Sequence, residues 1–237
     1  MEVNKVYNED CILGLSKLPD ESVDLIITDP PYRVTPRGSN GTMSGYWINV
    51  KSKRGTIFDY NNIDIEDYLP HLYRVLKNGT HCYIMCNNLN LPHFLHIIEM
   101  SEFKFVKCLI WDKCRKITGK FYMGQYEYII MLRKGKERII NDCGTSDIIS
   151  IPNNKTKKNG TNLHDSEKPV KLMEILINNS SNEGNLVLDP FMGSGSTAIA
   201  ALNCNRNYIG YEIDPKYFSV ITDRLSEYNS AISSNLF

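Results

Sequence analysis

The chain has 237 residues, is 42% hydrophobic and 23% charged, and carries a formal net charge of +0, an ordinary balance for a globular protein long enough to bury one α/β core. No apolar run approaches the roughly 18 residues of a membrane helix, residues 1–5 lack the apolar segment of a signal peptide, and the 7 cysteines form no C-x-x-C pair. These features exclude a membrane protein and a disulfide framework, and they predict a cytoplasmic protein with reduced thiols.

The first predicted element is a short helix over residues 11–18, entered through Asn8-Glu9-Asp10-Cys11, with Asp10 in the position of an N-cap. Residues 23–28, Val-Asp-Leu-Ile-Ile-Thr, predict a buried strand. That strand closes on Asp29-Pro30-Pro31-Tyr32. In an open α/β sheet, ligands bind at the carboxyl ends of strands. The two prolines fix two φ angles and offer no N–H, so this turn is stiff and presents only acceptors. A carboxylate, a carbonyl and an aromatic face held together suit chemistry on the exocyclic amine of a nucleobase.

Residues 33–58 are rich in Gly, Ser, Thr and basic side chains and predict a long functional loop. Arg33, Arg37, Lys51, Lys53 and Arg54 stand there against Asp59 just beyond. Trp47 in this loop fits either an apolar wedge for DNA or an anchor on the domain. A helix follows over 65–76, with Lys77-Asn78-Gly79 as its C-cap. A strand over 81–86 holds Cys82 and Cys86, and a helix over 92–100 has Pro92 in its first turn. Strands over 105–111 and 126–132 predict an antiparallel pair at a sheet edge. Trp111 fits a core position or the lining of a pocket. Residues 133–163 hold a second basic, polar stretch. The two basic loops flank the expected site and are read as the DNA-contacting insertions, with a pair of solvated loops as the alternative. The five histidines show no metal-ligand spacing.

The last third is more specific. A helix over 171–178 precedes the strand Leu186-Val187-Leu188-Asp189, which runs into Pro190-Phe191-Met192-Gly193-Ser194-Gly195-Ser196-Thr197 and a helix over 198–202. Strand, glycine loop and helix open a nucleotide-binding unit. The loop lacks the full G-x-G-x-x-G and any Gly-Lys-Ser/Thr, so it is a poor phosphate cradle, and an adenosine ligand without a diphosphate fits better than NAD or ATP. The next strand, 208–211, ends at Glu212, about 20 residues past the glycines, where a carboxylate accepts hydrogen bonds from ribose hydroxyls. A helix over 215–228 closes the chain. The alternation predicts an α/β fold with a doubly wound, mostly parallel sheet and an antiparallel edge, as a single domain over 1–237.

Taken together, Asn8 to Cys11, Asp29 to Tyr32, His164 to Pro169 and Asp189 to Thr197 resemble, in order, the motifs of DNA amino-methyltransferases acting on adenine N6 or cytosine N4. The catalytic motif precedes the glycine loop by about 160 residues, which is similar to the circularly permuted β group. The resemblance implies a Rossmann-like fold, S-adenosylmethionine (SAM) as methyl donor, double-stranded DNA as partner and a target base flipped out of the duplex. It implies that Asp29 and Pro30 accept the amine's N–H groups and that Tyr32, after Pro31, stacks on the base. It implies that Asp10 and the Cys11 backbone read the SAM adenine, and that Ser166 and Lys168 lie near its methionine carboxylate. Asp189 orders the loop or meets the methionine end; Phe191, Gly193, Ser194, Gly195, Ser196 and Thr197 form the SAM loop, and Glu212 holds the ribose. For Asp10 the capping role, and for Lys168 a solvated side chain, are the alternatives. Ser196 stands where the family usually has threonine and keeps the hydroxyl. The leading aspartate of the motif favours adenine. The alternatives are cytosine-N4 methylation and a non-catalytic DNA-binding subunit, and recognition could be shared across a homodimer.

Overall fold

The chain's strands and helices follow one another in the order β1 (Lys5–Tyr7), α1 (Cys11–Ser16), β2 (Val23–Thr28), α2 (Ile65–Val75), β3 (Leu76–Cys86), α3 (Leu91–Glu99), β4 (Lys104–Ile117), β5 (Gly124–Arg133), β6 (Ile148–Ser150), β7 (Lys157–Lys158), β8 (Thr161–Asn162), α4 (Val170–Ser180), β9 (Leu186–Asp189), α5 (Ser196–Asn203), β10 (Asn207–Tyr211) and α6 (Pro215–Ser234). The structure is a computed structural model that describes residues 2–31, 63–117, 121–153, 157–158, 161–162 and 167–234. Tyr32, the 33–58 loop with Trp47, and Ser166 lie outside the described residues.

Among the described residues, eight strands form one sheet in the order β1-β10-β9-β2-β3-β5-β4-β6, and β7 and β8 form a separate pair. β1, β10, β9, β2 and β3 run parallel, β5 is antiparallel to both β3 and β4, and β6 pairs parallel with β4. β2 shows why its sequence is apolar throughout. Val23 and Ile26 join one core cluster with Leu15, Leu72 and Phe94, whereas Leu25 and Ile27 join another with Leu172, Leu176 and Ala200. Side chains alternate across a strand, so a sheet covered on both faces needs apolar residues at every position. α1, α2 and α3 cover one face; α4, α5 and α6 cover the other. This is the doubly wound, mostly parallel fold expected from the alternation of elements.

α2 illustrates how local rules set an element. Its apolar residues Ile65, Tyr68, Leu69, Leu72 and Val75 share one face and are buried. Asp64 and Asp67 form a capping box at its start, the Asp64 N–H donating to Asp67 Oδ2 at 2.9 Å.

Two expectations need correction, and two short strands had no counterpart in the sequence reading. Gly79 does not cap α2, which ends at Val75 in extended backbone at Leu76. Gly79 instead sits inside β3 with φ 78°, donating its N–H to Lys134 O at 2.8 Å. It absorbs the irregularity by which Val23 faces Leu76 while Leu25 faces His81. The β4–β5 pair is not the outermost, because β6 lies beyond β4. β1 and β6 have three residues each, too few for a periodic signal, and exist because they complete hydrogen bonding at the two edges.

Candidate active site

β2 and β9 lie side by side at the centre of the sheet, with Leu25 level with Val187 and Ile26 with Leu188. From β2 the sheet continues through β3, and from β9 it continues the other way through β10 and β1. Such a switch point opens a crevice at the carboxyl ends of its two strands. The Asp29 turn stands at one lip and the glycine loop at the other. The convergence of these two motifs is therefore a property of the strand order.

Asp189 ties the lips together. It is 4% exposed and accepts from Thr28 Oγ1 (3.1 Å), the Phe191 N–H (3.1 Å) and Thr197 Oγ1 (2.6 Å). One carboxylate thus joins the end of β2, the loop and the first turn of α5. Burial pushes its carboxyl up to about 6 against those three donors. Gly193 and Gly195 adopt φ of 56° and 80°, the conformation glycine reaches without Cβ strain. The Gly193 N–H donates to Glu212 Oε2, and the Asp214 N–H to Glu212 Oε1, both at 2.9 Å. Burial pushes the Glu212 carboxyl up to about 7. Asn8 joins the first motif to this corner, its Nδ2 donating to Glu212 O at 2.7 Å and Ile213 O at 3.2 Å. Asp10 caps α1 through Oδ1, which accepts from the Ile12 and Leu13 N–H groups. Cys11 is buried in the core cluster beneath α2. Phe191 packs edge-on against Tyr68 at 5.2 Å.

Around Asp29 the structure gathers four charges. The Lys168 ammonium, on a side chain 7% exposed, contacts Asp29 Oδ2 and stands 3.7 Å from Glu127 Oε2. Lys113 holds the other Glu127 oxygen at 2.5 Å and lies 5.1 Å over the Trp111 ring. Asp29 Oδ1 and Glu127 Oε2 are buried and find no hydrogen-bond donor among the described residues. Burial raises the Asp29 carboxyl despite the nearby Lys168. Burial would raise Glu127 too, but the Lys168 and Lys113 ammonium groups outweigh it and hold Glu127 low. Burial opposes the Lys168 charge, and the two carboxylates restore it. A buried carboxylate oxygen left without a donor is a costly arrangement unless a donor arrives from outside.

The sequence of residues 23–223 matches the model of a DNA methylase family. The chain belongs to this family. The methylase is 26% identical over 248 residues to type II methyltransferase M.HinfI of Haemophilus influenzae, covering 95% of this chain and 69% of that protein. It is 27% identical to the DNA adenine methyltransferase YhdJ of Escherichia coli (strain K12), covering 94% and 83% of the two chains. In fold it is similar to the M1.HpyAVI–SAM complex, with a TM-score of 0.68 and 24% identity over 93% of this chain and 98% of that one. The methylase is a SAM-dependent DNA methyltransferase of the N6-adenine/N4-cytosine type.

Several residues that build this candidate site escaped sequence reasoning. Glu127 and Lys113 sit on strands β5 and β4, where an isolated charged residue reads as a solvent-facing position. Arg224 on α6 donates to Ser194 O at 2.9 Å and pairs with the nearly buried Glu167 at 3.1 Å, clamping the loop to the segment before α4. Nothing short of the fold puts residue 224 beside residue 194. The second basic stretch divides in two. Lys134 is 7% exposed and bound to Glu21 and the Tyr73 carbonyl, and Arg138 O faces His81 at the amino-terminal edge of the sheet. Only after β6 does this stretch return to the edge that carries Asp29.

Proposed function

We propose that the methylase transfers a methyl group to the N6 amine of adenine in double-stranded DNA, with the target base flipped out of the helix. The observation that carries this reading is the buried Asp29 Oδ1, which has no donor among the described residues, at the carboxyl end of β2 beside the loop held by Asp189 and Glu212. A leading aspartate in the motif supports adenine, and the relative YhdJ is named an adenine methyltransferase.

The residues present fit an adenosine-bearing methyl donor. Glu212 spends one backbone N–H on each oxygen, and a carboxylate accepts about four hydrogen bonds, so it retains acceptor capacity for two ribose hydroxyls. Gly193 and Gly195 keep Cβ atoms out of the loop, and Phe191 offers an apolar ring. Bound SAM supplies an electrophilic methyl group. Asp10, Cys11, Ser194, Ser196, Ser166 and Lys168 complete the walls in this reading; Thr197 acts through Asp189 by holding α5 to β9.

The amine of adenine is a weak nucleophile because its lone pair is delocalised into the ring. Asp29 Oδ1 and the Pro30 carbonyl each accept one of its N–H groups, which favours a pyramidal nitrogen with its lone pair outside the ring plane. Positive charge then develops on nitrogen, and a fixed carboxylate stabilises it; groups of this kind contribute several kcal/mol. Asp29, whose carboxyl is raised by burial, is suited to take the proton the amine releases. Lys168 occupies the amine's neighbourhood in the resting site, and Glu127 Oε2 is the acceptor toward which it moves when the amine arrives. Tyr32 stacks on the flipped base. Residues 33–58 and the part of 133–163 that follows β6 contact DNA, and two copies could share that recognition.

Tritiated SAM with mixed-sequence DNA tests the reading. Label recovered on N6-methyladenine supports it, and label on cytosine N4 replaces it with the cytosine alternative. Asp29→Ala is expected to lose at least about 100-fold in turnover while binding SAM as the wild type does. Unchanged turnover in that variant refutes the assigned role.

A further inference from the structure

β4 and β5 do not end where their neighbours end. Cys86, the last residue of β3, is level with Tyr128 of β5, yet the β4–β5 pairing continues to Asp112–Tyr126 and to Ile117–Gly124. At about 3.3 Å per residue, the four residues from Tyr128 to Gly124 carry the ribbon roughly 13 Å past the carboxyl edge of the sheet. Glu127, at the foot of this ribbon, belongs to the Asp29 cluster. The ribbon therefore rises directly from the candidate active site.

Its base is built rigidly. Asp112 accepts from the Cys114 N–H at 2.8 Å, Gln125 Nε2 at 2.9 Å and Ser150 Oγ at 3.3 Å. The carboxylate pins a bulge in β4 where Cys114 takes φ 56°. Above that base the exposed side chains are not of the kinds a hairpin that meets only water carries. Tyr122 is 93% and Met123 61% exposed. Arg115 and Lys116 are exposed as well, and residues 113–126 contain Lys and Arg but no Asp or Glu. Exposed aromatic and thioether side chains flanked by cations alone suit a polyanion with stackable faces. A two-stranded ribbon is also one of the two elements that the major groove admits.

We propose that the β4–β5 ribbon is a DNA-contact element, distinct from the two basic loops, that lies along the duplex next to the target base. Arg115 and Lys116 neutralise phosphates. Tyr122 and Met123 press their apolar surface against bases or sugars beside the site from which the target is extruded. This rests on the reading above that DNA reaches the Asp29 crevice.

Two variants of the full chain test it, with a fluorescein-labelled mixed-sequence duplex as probe. Binding by Arg115→Ala/Lys116→Ala is expected to show a slope of log affinity against log salt shallower by about 1.8, two phosphate contacts at about 0.9 each. Tyr122→Ala/Met123→Ala is expected to raise the KM for plasmid DNA roughly 5-fold or more, the low end of an aromatic–base contact. Both should bind SAM and melt as the wild type does, since the substituted side chains are exposed. Wild-type salt slope and KM in both variants overturn the proposal. So does a change in sedimentation with DNA affinity intact, which would assign the tip to contact between copies. The salt slope needs no catalysis, so a wild-type chain that transfers no label would refute the reaction and leave this result readable.

Discussion

Asp29, Glu127, Glu212 and Asp189 are four carboxylates in one crevice, and their surroundings divide their roles. Asp189 has donors on both oxygens and acts as a tie. Among the described residues, Asp29 and Glu127 each keep one buried oxygen without a donor. Glu127→Gln removes the charge toward which Lys168 would shift. It is expected to raise the KM for DNA and lower turnover about 10-fold, a loss typical of one positioning charge. SAM affinity should hold, and Glu127→Asp should recover part of the rate; an inactive Asp variant would argue against charge as the cause. Glu212 has a pH consequence. Its carboxyl sits at about 7 in the fold and about 4.3 in an unfolded chain. The native state therefore holds the proton more tightly, so its stability contribution is greatest at low pH and declines as pH rises toward 7. Ribose hydroxyls favour the carboxylate, so SAM affinity should move the opposite way. Calorimetry is expected to show SAM binding tighten from about pH 6 to about pH 8 and level off, with Glu212→Gln flattening that dependence. A pH-independent Kd in the wild type would remove Glu212 from the site.

At the level of elements, the proposed SAM corner depends on how closely α1 approaches β10. A Cβ on Gly14 would lie 2.2 Å from the Tyr211 ring, whose hydroxyl donates to Gly14 O at 3.1 Å. That ring is buried and cannot turn aside. Gly14→Ala is expected to cost about 1–3 kcal/mol in chemical denaturation, the usual range for overpacking. It should also weaken SAM binding, since Tyr211 adjoins Glu212. Equal stability would mean that α1 yields more easily than this packing implies. Element assignment from sequence succeeded where the period was clear, as in α2 and β2, and failed at Gly79. Glycine after an apolar helical run is the usual C-cap pattern, and only the pairing of β3 with β2 shows the residue serving a strand.

For the whole molecule, the glycine loop, Glu212 and the 8–11 motif lie near the two ends of the chain, and β1 pairing with β10 joins them. Ligand held there should stabilise the native state as a unit. At 100 times its Kd, SAM is expected to add about 2.7 kcal/mol and raise Tm accordingly. Asp29→Ala should keep that shift, and Glu212→Gln should lose much of it; an equal shift in both would take Glu212 out of the proposed SAM site. What the sequence alone determined was local: alternation of strand and helix, the stiff acidic turn, the glycine loop and the acidic residue after the next strand. These follow from short-range sterics and periodicity, which neighbouring residues carry. The tertiary structure decided what those rules cannot reach. It placed Glu127 and Lys113 beside Asp29, buried Lys134 away from the site, set Arg224 against the loop, and raised the β4–β5 ribbon past the sheet. Each of these depends on strand order and register between segments distant in the chain, where the free energy lies in burial and charge pairing that a linear reading does not bring together.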